Sequence, residues 1–479
     1  MTRSGEMWAK FLATRLVGIA VDSAVVAFAY FASFALRFDF AEPLWGWRKV
    51  VLSFATVWTV HIAALFVCGC YRLAWRRIRG SELPRYIGAT ALACAVLTVM
   101  RIVMPNAAAL RIRPPYSITV MCFFLATAGI IGVRVLWRIY CASRRNDQEL
   151  LEREERSFDN SVAARFLAGK VVMVTGAGGS IGSEIVRQVA EAGASKVLMV
   201  ERCENALYEI DKKMRMAGYH AKFVPLMVDA GDRTRMEKIF AEHSPRVVLH
   251  AAAYKHVPMV ELNPEEGYRN NVEATRTLGE MAREHGVERF VMISTDKAVN
   301  PVSVMGKTKR EAEKIVIALN NSPTPSLLTP NSPTPPLPHS STSFCAVRFG
   351  NVFGSSGSVV PLFREQIAAG GPVTVTHPDM KRYFMTVAEA VSLVLQAASR
   401  DERAIYTLDM GEPVKILDLA EGMIERAGYR PYVDIPIVFT GIRPGEKLFE
   451  EIDVSEKSAY RTDMAKIYIT LGVQGEVGS

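Results

Sequence analysis

Val171–Val172–Met173–Val174–Thr175–Gly176–Ala177–Gly178–Gly179–Ser180–Ile181–Gly182 is an apolar run that ends in a cluster of glycines. Val171 to Val174 is short, continuous and rich in valine, the pattern of a strand buried on both faces. Ser183 to Ala192 has helical character, so the glycines fall between a strand and a helix. That junction suits a pyrophosphate. Gly176 permits the tight turn, Gly179 lets backbone approach the phosphates, and Gly182 lets helix and strand pack closely. The helix start, with Ser180 and Ile181, adds free N–H groups and a partial positive charge. A second strand, Lys196 to Val200, ends in Glu201, about 20 residues beyond the glycines, where a carboxylate meets a ribose diol.

Further apolar runs follow at regular spacing. Phe223–Val228 ends at Asp229. Arg246–His250 is followed by Ala251, Ala252 and Ala253. Arg289–Ile293 is followed by Ser294, Thr295, Asp296 and Lys297. Strands alternating with helices predict an α/β fold, a doubly wound Rossmann-type parallel sheet covered on both faces. Ligands on such a sheet bind at the carboxyl ends of the strands, so these polar residues converge on one crevice. Residues 320–343 interrupt the pattern with Pro, Ser and Thr and an imperfect repeat. That composition cannot bury a core, and it predicts a disordered surface insertion. A strand resumes at Phe344–Phe349. Short strands and helices beyond it suit a small C-terminal substrate-binding lobe, with residues 456–479 as a tail.

Upstream, the chain changes character. Four long apolar segments, Phe11–Leu36, Val50–Cys70, Tyr86–Met104 and Tyr116–Tyr140, each reach or approach the ~20 residues that a bilayer helix needs. Residues 1–145 are therefore expected to be a transmembrane region, and the charged residues 146–168 a linker helix. The first segment lacks a small-residue cleavage site and is not read as a signal peptide. Asp22 is expected to face the bundle, toward His61, and Arg101 and Arg134 to snorkel.

Charge is divided in the same way. Of the 479 residues, the first 150 hold 18 Lys+Arg against 7 Asp+Glu, and the rest 39 against 42. The basic pI near 9.0 thus belongs to the front third. This excludes nucleic-acid binding by the globular part and favours cationic flanks of membrane helices, hence a lipid bilayer as partner. Basic residues before the first segment, in Tyr71–Arg79 and after the fourth segment put that side, and the globular part, in the cytoplasm. The seven cysteines form no CxxC pair and no zinc spacing, so no metal is expected and a reducing compartment fits.

Thr175–Gly182 with Ser183 and Glu184 resembles the nucleotide loop of the extended short-chain dehydrogenase/reductase superfamily. His250–Pro258, Ser294–Pro301, Arg348–Val352 and Arg443–Lys447 resemble, more narrowly, the membrane-associated nucleotide-sugar 4,6-dehydratases. The likeness runs over residues 169–455. It implies a homo-oligomeric enzyme of the bacterial inner membrane that converts UDP-N-acetylglucosamine to a 4-keto-6-deoxy sugar for surface glycans. Larger members carry an additional nucleotide-binding-like domain, for which the linker here is too short. Ala274 stands where the family often has glycine, near Asn271.

The resemblance also implies roles. NAD is the expected cofactor, held by the glycine turn, Glu201, Asp229, Ala251, Ala252 and Lys309. Arg202 beside Glu201 leaves NADP open, although Glu201 repels a 2′-phosphate. Lys255, Asn271, Arg348, Asn351, Arg443 and Glu446 are expected to line the UDP-sugar site, where arginine matches diphosphate. Dehydration requires both an acid and a base. By resemblance Asp296 is the acid, Lys297 the base, and Thr295 handles the C4 hydroxyl. Simple reductases of the superfamily use Tyr-x-x-x-Lys. Here Lys309 is retained but Met305 takes the tyrosine position, and a thioether carries no proton. A 4-epimerase and a non-catalytic membrane scaffold are the competing readings.

Overall fold

The structure is a computed structural model, and it describes residues 3–38, 47–72, 83–103, 114–143, 161–321, 342–452, 459–464 and 466–470. The chain divides into two compact units, residues 1–147 and 148–479.

The first unit contains α1 (Arg3–Phe38), α2 (Trp47–Val67), α3 (Leu83–Val103) and α4 (Tyr116–Ser143). All four hold a stretch long and apolar enough to cross a membrane. Ile118, Cys122, Ala126 and Ile130 recur every four residues on α4 and pack against Val26, Tyr30 and Phe34 of α1 and Tyr86 and Leu97 of α3. The outward faces are apolar too, with Phe28, Phe66 and Phe124 largely exposed. Helices apolar on every side suit lipid rather than water.

Two sequence expectations change here. Asp22 does not turn to His61. Arg134 Nη1 and Nη2 donate to its two carboxylate oxygens at 2.7 and 2.8 Å, and both side chains are fully buried. Arg134 therefore does not snorkel. The reason is register: it stands four residues beyond Ile130 on the inward stripe of α4, and Asp22 stands four before Val26 on that of α1. The Arg134 guanidinium also lies 4.7 Å from the Tyr86 ring centroid. His61 bonds instead to the Val57 carbonyl on its own helix. Arg101 donates to the Pro114 carbonyl at 2.6 Å.

The second unit is built on one sheet. Its strands β1 (Val171–Thr175), β2 (Lys196–Glu201), β3 (Lys222–Met227), β4 (Val247–His250), β5 (Arg289–Ile293) and β6 (Ser343–Arg348) lie within a residue or two of the runs read from sequence. They pair in parallel in the order β3-β2-β1-β4-β5-β6. This is the Rossmann order, reversing between β1 and β4, and a crevice opens at that switch point. Apolar side chains above and below the sheet form two cores: Val172, Val174 and Val197 face one, Met173, Leu198 and Val248 the other.

Beyond β6, Ile405–Leu408 adds one more parallel strand, and Ile467–Thr470 and Ala459–Arg461 close that edge antiparallel. Residues 459–470, read from sequence as a tail, thus belong to the sheet. Tyr406, Leu408, Ile467 and Ile469 are buried against one another, and that apolar alternation draws the segment back. The small lobe is present. Helices Val359–Ala369 and Ile416–Arg426 pack with the paired strands Val373–Val375 and Ile437–Phe439 around Phe363, Val373, Leu419 and Ile424. Within 146–168, residues Ser161–Leu167 form a helix. Residues 146–160 of that linker, residues 322–341 of the insertion and most of the basic loop Tyr71–Arg79 lie outside the described residues.

Candidate active site

The glycine turn has the form its sequence requires. Gly176 has φ +66°, and a Cβ there would meet Ala252 backbone at 2.8 Å. A Cβ on Gly182 would meet the Gly176 carbonyl at 2.0 Å, so helix and turn pack too closely for any side chain. The following helix, Ser180–Glu191, starts at the crevice. Beside it lies a cavity of about 300 Å³ bordered by Gly176, Gly179, Glu201, Arg202, Asp229, Ala251 and Ala252. Glu201 accepts hydrogen bonds from Gly178 N at 3.1 Å and Cys203 N at 3.0 Å, which holds its carboxylate on the cavity wall. Arg202 is committed elsewhere: it donates to Asp229 at 3.2 Å and stacks 4.7 Å over the Tyr254 ring. A bare backbone loop at a helix start, next to a carboxylate-lined cavity, fits a dinucleotide.

A larger cavity of about 440 Å³ adjoins it, and Ala251 and Ala253 border both. Ile181, Thr295, Lys297, Met305 and Lys309 line it from the sheet side, with Lys255, Asn351, Arg443 and Glu446. Ser180 lines neither cavity; its hydroxyl accepts from Ser356 N at 3.1 Å.

Asp296 is buried and is not among the residues lining the larger cavity. It stands behind its neighbours: Oδ1 accepts from Thr295 Oγ1 at 2.8 Å and Lys297 Nζ at 3.0 Å. Its Oδ2 is buried with no hydrogen-bond partner among the described residues. Lys297 Nζ also donates to Asn351 Oδ1 at 3.1 Å. Lys309 rises from the helix Val304–Ala318, one turn beyond Met305, and its Nζ donates to the Ile293 carbonyl at 2.9 Å. Burial pushes its ammonium down to about 8, against the opposing pull of Glu313. Burial likewise lowers Lys255.

Two expected sugar-site residues lie elsewhere. Arg348 does not line the larger cavity. It is buried under the strand ends, donating from Nε and Nη2 to the Glu313 carboxylate at 2.7 and 2.6 Å, and Ser294 Oγ joins at 2.6 Å. The inward-facing position at the end of β6 gives a guanidinium no route to solvent, so a buried acid must balance it. Asn271 is also internal. Its side chain accepts from Tyr254 N at 2.8 Å and donates to the Tyr254 carbonyl at 3.0 Å and Thr308 Oγ1 at 3.1 Å. It pins the turn that carries Lys255 to the Lys309 helix. Behind that turn, His250 bridges Thr175 at 2.7 Å and Thr275 at 3.0 Å, and burial pushes its imidazole down to about 3, so it is neutral.

Sequence reasoning missed Glu450 and Arg382, both on the larger cavity. Arg382 ends a strand of only two residues, Lys381–Arg382, too short to be read from sequence, and only the proximity of Glu450 to Arg443–Lys447 pointed to that residue.

The site has relatives. The chain is 48% identical over 307 residues to the capsular polysaccharide biosynthesis protein CapD of Staphylococcus aureus, covering 64% of this chain and 48% of that protein. It is 45% identical over 367 residues to the probable polysaccharide biosynthesis protein EpsC of Bacillus subtilis, covering 76% of this chain and 58% of that one. It therefore spans about half the length of these two relatives. Among solved structures, Pen from Bacillus thuringiensis matches with TM-score 0.55 and 28% identity, over 64% of this chain and 89% of that one. Residues 172–471 match the polysaccharide biosynthesis protein family from β1 through the last strand of the sheet, and the chain belongs to that family.

Proposed function

We propose that the chain is a membrane-anchored 4,6-dehydratase that acts on UDP-N-acetylglucosamine, with NAD as cofactor, in surface polysaccharide assembly. Glu201 at the smaller cavity disfavours a 2′-phosphate, and Arg202 is engaged by Asp229 and Tyr254, which supports NAD over NADP. When bound, NAD supplies the hydride acceptor for C4 and the hydride donor for C6. The residues of the chain move the protons. Thr295 Oγ1 takes the C4 hydroxyl proton as its own passes to Asp296 Oδ1, to which it is already bonded. Asp296 then holds the proton that the departing C6 oxygen needs. It stands behind Thr295 and Lys297, so that proton leaves through one of those side chains. The Lys297 amine takes the C5 proton, and later returns it to C5. Arg443 and Glu446 line the part of the cavity suited to the nucleotide, where an arginine fork meets diphosphate. The four apolar helices act as the anchor, and the basic residues flanking them favour a cytoplasmic catalytic unit in the inner membrane.

One observation carries this reading. Thr295 and Lys297 share a cavity with Lys309 while the tyrosine position holds Met305, so the described residues that line it supply an amine, with the Asp296 carboxyl behind it, but no tyrosine. Incubation of the purified full chain with UDP-N-acetylglucosamine is expected to give a product lighter by one water. An epimerase gives no mass change, and a scaffold gives no product. Asp296→Asn and Lys297→Ala are each expected to abolish turnover with the cofactor still bound; a fully active double variant removes the mechanism.

A further inference from the structure

Lys297 is not held by its own strand end alone. Lys297 Nζ donates to Asp296 and Asn351, and near the same nitrogen stands a carboxyl from a distant part of the chain. Glu450 Oε1 lies 4.0 Å from Lys297 Nζ and 3.8 Å from Arg382 Nε, and its side chain is only 4% exposed. Arg382 in turn clamps the loop that carries it. Its Nη1 donates to the Lys381 and Leu448 carbonyls at 2.8 and 3.1 Å, and its Nη2 to the Lys447 carbonyl at 2.7 Å. Lys447 Nζ ties the same loop to the Val299 carbonyl at 3.1 Å, just past the strand-end triplet. The loop cannot swing away without breaking these bonds.

We propose that Glu450 is a positioning residue for Lys297: its carboxylate, fixed by Arg382, holds the amine in the cavity and balances the charge it gains on taking a proton. The inference rests on Lys297 as the base of the reaction proposed above. A lysine on a four-carbon stem, 20% exposed, otherwise has the freedom to point into solvent. A base that becomes an ammonium in a partly dry cavity needs a counter-charge at hand, and Asp296 is already shared with Thr295. Burial raises the proton affinity of the Glu450 carboxyl. Lys297, Arg382 and Lys447 oppose that rise, and Asp296 adds to it. The charged groups facing Glu450 are thus Asp296 and Lys297 from the strand end, Arg382 from the lobe and Lys447 from its own loop, while Glu446 on that loop stands 3.5 Å from Arg382.

The test uses the full chain with Glu450→Gln and Glu450→Asp. Modification of Lys297 by an amine-reactive sulfonate is followed across pH by peptide mass spectrometry, beside steady-state kinetics. Removing a carboxylate at this distance is expected to move the midpoint of Lys297 modification down by about one pH unit in E450Q, and by less in E450D. With UDP-N-acetylglucosamine, kcat is expected to fall by about tenfold or more while KM stays within about threefold. A midpoint unmoved in both variants overturns the proposal, whatever happens to kcat. A midpoint that moves in a chain without dehydratase turnover upholds the positioning and removes the base assignment. If E450Q does not fold, E450D carries the same test in the same direction.

Discussion

Lys309 shows how a buried side chain is held against its own preference. Burial brings its ammonium to about 8 from the ordinary 10.5. Between those values the unfolded chain keeps a proton that the folded chain has released, so stability rises with pH across that window. Below about pH 8 the folded protein bears the full penalty. Lys309→Met is therefore expected to stabilise the chain at pH 7 by on the order of 2–3 kcal/mol, with the gain fading toward pH 10.5. Urea unfolding at a series of pH values checks this. The same variant is expected to lose dinucleotide binding, since residues kept for function often stand at the expense of stability. Lys309 was legible in the sequence because one helical turn separates it from Met305. The position of Asp296 was not. Its neighbours in sequence gave its type and its strand end, but not that Thr295 and Lys297 would stand in front of it.

At the scale of elements, two buried ion pairs fasten helices, and neither was read correctly from the chain. Arg348 and Glu313 join the end of β6 to the helix Val304–Ala318. Arg348→Ala leaves the buried Glu313 carboxylate with only Ser294 and the more distant Arg310, 3.7 Å away, and is expected to cost about 3–5 kcal/mol, whereas Arg348→Met with Glu313→Met recovers most of that loss. Thermal unfolding of both variants measures the difference. Had Arg348 served the nucleotide, its loss would weaken UDP binding before stability. Asp22 and Arg134 join α1 to α4 in the same way. Asp22→Ala is expected to lower the detergent-solubilised melting temperature more than Asp22→Leu paired with Arg134→Met, because the single change strands a guanidinium in an apolar bundle. The segments that carry Asp22 and Arg134 were visible in the sequence as apolar runs long enough to cross a bilayer. That Asp22 faces the bundle could be read from its cost in lipid, but its partner was settled only once the helices were packed.

The whole molecule is two units with separate cores, one of helices apolar on every side and one built on a sheet with its own lobe. A unit with its own core is expected to fold alone. Residues 148–479 expressed by themselves are expected to stay soluble without detergent and to bind the dinucleotide with an affinity within about threefold of the full chain, since the glycine turn and both cavities lie within that unit. Calorimetric titration of both forms measures this, while the full chain is expected to sediment with membranes. The division itself was plain in the sequence, from the four apolar segments and the basic front third. So were the six parallel strands and the glycine turn. Those features depend on residues adjacent in the chain: continuous apolar runs make buried strands, and a positive φ at Gly176 follows from the lack of a side chain. Tertiary structure alone chose the partners of buried charges, because Arg134 and Asp22 stand 112 residues apart and Arg348 and Glu313 stand 35 apart. It also brought Glu450 to Lys297 and returned residues 459–470 to the sheet. Local periodicity can say that a side chain faces inward, but the dry interior it enters, and the group that must neutralise it there, exist only after distant segments have packed.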